Sequence, residues 1–103
     1  MTLPDDPFII ELLPEFLDTW INDVAYEFPK IIQRHDKDEV YRFGHTLKGS
    51  CFQFGLPETA ELGVELMDYA KAGDWSNIEL MQPRILKSFV DSKRQIDELI
   101  STQ

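Results

Sequence analysis

Apolar side chains in this chain recur at three- and four-residue steps, with no sustained alternation at every second position. That spacing gathers them on one face of an α-helix and does not suit a half-buried strand. No Asn-Gly or Asp-Gly pair signals a hairpin either. The chain is therefore expected to be all-α. Its 103 residues allow one core and are too few for two, so residues 1–103 are read as a single domain.

Punctuation along the chain divides it into helices. Asp6-Pro7 offers a cap followed by proline at the first helical position, opening a short helix expected to end near Pro14. A second segment carries Phe16, Leu17, Trp20, Ile21, Val24, Phe28, Ile31 and Ile32, with a kink expected at Pro29. Asp36 and Glu39 have the form of a capping box and open a third segment that runs to about Gly55. Pro57 starts the next, which stops at Gly73. Ser76 to Glu79 resembles a further capping box, before a last helix with a kink expected at Pro83. Short turns between four long amphipathic helices predict an antiparallel four-helix bundle, with the short N-terminal helix as an addition. Trp20 and Trp75 read as core or cap residues, and His35 as a solvated helix end.

Charge narrows the function. The net charge is −9, which argues against a nucleic-acid partner, because such binding depends on neutralising phosphates. Residues 1–29 hold seven acids and no Lys or Arg, and residues 58–79 hold six acids against Lys71 alone. Residues 30–48 are cationic, with five bases against three acids. No apolar run reaches the roughly 18–20 residues that span a bilayer, and the first residues lack a basic secretory start. A cytoplasmic location and no membrane contact are the expectations. One cysteine, Cys51, permits no internal disulfide, and two histidines supply no zinc-ligand spacing, so no metal site is expected.

The 30–48 stretch runs into Gly44-His45-Thr46-Leu47-Lys48-Gly49-Ser50-Cys51-Phe52. At about 100° per residue, Val40, Phe43, Gly44, Leu47, Cys51 and Phe54 form a core stripe, and His45 lies about 150° from its centre. His45 therefore faces solvent, beside Tyr41, Arg42, Lys48, Gly49 and Phe52. Lys48 falls at i+3 and Gly49 at i+4 on that face. A glycine inside a helix costs about 0.5–1 kcal/mol. Packing accounts for Gly44, on the core edge, whereas Gly49 on the outer face instead opens access to His45. A nucleophilic imidazole, a nearby cation and a gap in side-chain cover suit phosphoryl transfer, which needs mainly positioning and charge balance. Lys48 is the first cation for the phosphoryl oxygens and Arg42 the second candidate. Tyr41 and Phe52 are candidates for a partner-docking patch.

His45-Thr46-Leu47-Lys48-Gly49-Ser50, with Gly55 ten residues after the histidine, resembles the signature of histidine-containing phosphotransfer (HPt) domains. The resemblance implies that His45 accepts a phosphoryl group from a receiver-domain aspartate and passes it to another receiver. Lys48 and Gly49 match supporting positions, and Leu47 and Gly55 structural ones. It implies response-regulator receivers or a hybrid sensor histidine kinase as partners. Mg²⁺ is then supplied by the receiver, and the chain itself holds no cofactor. Many members carry Gln or Glu on the following helix, bonded to the second imidazole nitrogen. Met67 stands at that position here, leaving Glu65 or Lys71 as compensating neighbours. The chain has no Gly-rich phosphate loop, so no autonomous kinase or hydrolase activity is expected. The alternative is a docking module for a receiver or sensor kinase that works without phosphorylation. A monomer is the default.

Overall fold

The computed structural model describes residues 6–101, all of them in helices or the short turns between them. Helix α1 spans Pro7–Asn22, a π-helical turn follows at Asp23–Glu27, and α2 spans Phe28–Gln33. Helices α3 (Lys37–Gln53), α4 (Pro57–Ala72) and α5 (Trp75–Ser101) complete the fold. With α1, the π turn and α2 counted as one bent rod, four rods pack into the expected all-α bundle. Turns of two or three residues between α2, α3, α4 and α5 make successive rods antiparallel.

The start of α1 agrees with its capping signal: the Asp6 carboxylate accepts a hydrogen bond from the Phe8 N–H at 2.9 Å. Its end does not fall where expected. The helix continues through Pro14 to Asn22, so among the described residues no separate short helix precedes the first long rod. Pro14 removes the bond to the Ile10 carbonyl, but Ile10 lies on an exposed turn where water can take its place.

The real interruption is the π turn, set one step before Pro29. In a regular α-helix the Phe28 N–H would bond the Val24 carbonyl, but here it bonds Asp23. The next donor along would be that of Pro29, which has none. The Val24 carbonyl is taken instead by the Gln82 side chain of α5, at 3.0 Å. A wider turn also relieves the clash that a proline ring makes with the carbonyl four residues back.

Asp36 caps α3 as anticipated, accepting from Asp38 N–H at 3.0 Å and Glu39 N–H at 3.3 Å. The reciprocal half of the box is not formed, because the Glu39 carboxylate pairs with Arg34. The cap of α5 is Asp74 rather than Ser76. Its carboxylate accepts from the Asn77 backbone at 3.3 Å and from the Asn77 side chain at 2.6 Å. The helix then runs unbroken through Pro83.

Gly73 ends α4 in the left-handed region at φ 64°. His35 does the same after α2 at φ 52°, which costs a non-glycine residue on the order of 1 kcal/mol. Its ring stacks on Trp75, 4.6 Å between centroids, so the two tie one end of the bundle together.

The core runs the length of the bundle through Leu13, Leu17, Val24, Phe28, Val40, Leu47, Leu66, Ile78, Ile85 and Phe89, all fully buried. Phe43 stacks on Phe28 at 4.4 Å, and Trp20 on Phe89 at 5.6 Å, joining α3 and α5 to the bent rod. Trp20 is thus a packing residue. Helices α3 and α4 make the closest pairing. A Cβ on Gly63 would meet the Gly44 carbonyl at 2.8 Å and the Lys48 backbone nitrogen at 2.9 Å. This approach fixes α3 at the point from which His45 projects.

Candidate functional site

The stripe inferred for α3 is the stripe that is buried. Val40, Gly44, Leu47 and Cys51 face the interior, with Phe43 and Phe54 half-buried at its margins. His45 is exposed on the opposite side, mid-way along the helix. Its ring makes no hydrogen bond among the described residues, so neither nitrogen is tied up within them.

The ground beside it is open. A Cβ built on Gly49 meets nothing within 4 Å, so packing does not require glycine at that position. Gly44 has the contrary explanation, since a Cβ there would lie 3.0 Å from the Gly63 carbonyl and 3.1 Å from Met67 Cγ. Lys48 is half-buried, Arg42 exposed, and Phe52 49% exposed. All of these share α3 with His45.

Tyr41 is brought against His45 by the helix period, one turn earlier. The two rings lie 6.5 Å apart with 24° between their planes. The far side of this small cluster comes from α4, where Lys71 places its ammonium 5.5 Å from the Tyr41 ring centroid. Tyr41 is therefore the link between the histidine and a cation of the next helix. Sequence reasoning treated Lys71 as a possible neighbour of His45 but did not connect it with Tyr41. The available signal was its isolation as the sole base among the acids of α4.

The other neighbours considered do not reach the site. Glu65 is committed elsewhere, bonded by Arg84 at 2.9 Å through both carboxylate oxygens and by the Tyr69 hydroxyl at 3.1 Å. The Arg84 guanidinium above all, helped by the Tyr69 hydroxyl, holds its carboxyl below the usual range against the opposing effect of burial. Met67 is buried against Gly44 and offers no polar atom to an imidazole beyond a weakly accepting sulfur.

Charge on this face is unspent. Six of the ten Lys and Arg residues form ion pairs: Lys30, Arg34, Arg84, Lys87, Lys93 and Arg94. The four with no ion pair among the described residues are Lys37, Arg42, Lys48 and Lys71. Three of these belong to α3 and the fourth rests on Tyr41.

Cys51, the other nucleophile in the motif, is buried, and desolvation pushes its thiol up to about 12. It stays protonated and enclosed. Among the described residues no group of three or more His, Cys, Asp or Glu side chains converges in the manner of a metal site.

An exposed, unbonded histidine with a bare position at i+4 and unpaired cations on the same helix is chemically suited to receiving a phosphoryl group. A model of the Hpt domain family matches residues 9–101. The chain belongs to the Hpt domain family. Hpt domains serve histidine phosphotransfer in phosphorelays, where they interact with receiver domains and kinases. Comparison with curated proteins and with solved structures found no significant match. As an Hpt domain it is a helical bundle, and none of the described helices is long and apolar enough to cross a membrane.

Proposed function

We propose that His45 is the phospho-accepting residue, taking a phosphoryl group from the aspartyl phosphate of one receiver and passing it to another. The observation that carries this reading is the exposed His45 ring, free of hydrogen bonds among the described residues, beside the unfilled surface at Gly49. In its neutral form an imidazole has a lone pair to give on one ring nitrogen. That pair forms the N–P bond as the P–O bond to the receiver carboxylate breaks, and the carboxylate leaves with its electrons. The ring keeps its other N–H until water takes the proton. Return transfer reverses these steps.

Lys48, at i+3, is the first cation for the phosphoryl oxygens, and Arg42 adds charge at i−3. Tyr41 and Phe52 lie where a docked receiver would touch α3. Mg²⁺ belongs to the receiver in this reading and supplies charge neutralisation at its aspartate.

Incubation with a phosphorylated receiver tests the assignment. Acid-labile, alkali-stable label is expected on the wild type and absent from His45→Gln. Label retained by His45→Gln would refute it. A wild type that binds receivers without ever taking label would point to a docking role.

A further inference from the structure

We propose that Lys71 of α4 is a second cation for the phosphoryl group on His45, kept in place by the face of Tyr41. The proposal rests on His45 being the phospho-accepting residue. A phosphoryl group bound to nitrogen carries nearly two negative charges, and Lys48 and Arg42 both approach it from α3, which leaves its α4 side to a further cation.

Two independent observations single out Lys71. The first is its geometry: the ammonium lies 5.5 Å from the Tyr41 centroid, and that ring is 6.5 Å from the His45 ring. The second is the choice it makes among partners. Lys71 is the only base in α4, and Asp68, exposed one turn earlier at the favourable i−3 position, is available to it. It pairs with neither Asp68 nor any other acid among the described residues. It turns toward α3 instead. A cation held on an aromatic face by about 0.5–1 kcal/mol at an exposed site is positioned without being neutralised. A stronger attraction, to a dianion appearing on His45, can draw it across at small cost.

A bland explanation exists, since a lysine in the last turn of a helix is favourable to the helix dipole. The two explanations separate under direct loading of the protein with phosphoramidate, which needs no receiver. In that reaction the ring nitrogen forms the N–P bond, the donor's P–N bond breaks, and ammonia leaves with the electron pair.

Lys71→Gln is expected to load about two- to fivefold more slowly than wild type, the scale of one solvent-exposed charge pair. Its phosphohistidine should also hydrolyse at a changed rate. Lys71→Arg, which keeps charge and reach, should load within about twofold of wild type, and Tyr41→Leu should resemble Lys71→Gln. A dipole role alone would alter the melting curve of Lys71→Gln and leave loading unchanged. Loading of Lys71→Gln at the wild-type rate, or failure of Lys71→Arg to restore it, overturns the assignment of Lys71 alone. A wild type that takes no label on His45 from any donor overturns the reading of His45 first.

Discussion

Gly44 and Gly63 meet backbone against backbone, each occupying the space that a methyl group on the other would need. A Cβ on Gly63 would lie within 2.9 Å of three atoms of α3, two of them backbone, and a Cβ on Gly44 would meet the Gly63 carbonyl at 3.0 Å. Backbone cannot swing aside as a side-chain end can.

Gly63→Ala is therefore expected to destabilise the protein by about 1–3 kcal/mol, despite the better helix propensity of alanine. Gly44→Ala should cost less, since one of its close neighbours is the flexible Met67. Urea titrations of the two variants measure this, and a raised midpoint for Gly63→Ala would contradict the close approach.

Gly49 predicts the reverse. With nothing within 4 Å of its missing Cβ, Gly49→Ala should stabilise by about 0.5–1 kcal/mol. Gly49→Leu should fold as well as wild type yet slow transfer from a receiver at least about tenfold, by displacing the reacting groups. The comparison of melting curves with transfer rates decides it.

Gln82 and Pro29 should be coupled although they lie on different rods. Loss of the amide in Gln82→Met strands the carbonyl of the fully buried Val24, at a cost of about 1–3 kcal/mol. Pro29→Ala restores a backbone donor near that carbonyl, so in its background the same change should cost less. A double-mutant cycle with zero interaction energy would exclude the link.

Acid should weaken the α4–α5 contact. Hydrogen bonds from Arg84, and after them from Tyr69, keep the Glu65 carboxyl below the ordinary range in the folded state. The folded protein thus binds fewer protons there than the unfolded chain. The resulting stabilisation is complete above the ordinary carboxylate value and disappears as pH falls through the depressed one. Glu65→Gln should lose a few tenths to about 1 kcal/mol at neutral pH, this being a partly exposed pair. Its stability should vary less between about pH 5 and pH 3 than that of wild type.

The features legible in the sequence were those fixed by neighbours along the chain. Asp6, Asp36 and Gly73 act where local capping rules put them, and the helical wheel of α3 separated Leu47 and Cys51 from His45 correctly. What escaped depends on residues far apart. Pro14 looked like a terminator, yet packing of α1 carries the helix past it. The break near Pro29 was foreseen as a kink, but its π form needs a donor from Gln82, 58 positions away. Ser76 lost the cap of α5 to Asp74, two residues earlier, a contest that local pattern cannot score. His35 is exposed at a helix end, as its position implies, and only the stacking of its ring on Trp75 lay beyond local pattern. Around His45 the sequence supplied the α3 residues, and the contribution of Lys71 through Tyr41 emerged only once two helices were side by side.

The widened turn at Asp23–Glu27 has a last consequence, for tolerance to insertion and deletion. It accommodates one surplus residue, which lets the segments before and after it present their apolar faces independently. Excising a single residue there would return the rod to uniform winding with Leu13 and Leu17 still on the side of Phe28 and Ile32, whereas excising one from the regular turns on either side would rotate those faces apart by about 100°. Chain length is therefore forgiving at this turn and strict in the regular helix on either side of it.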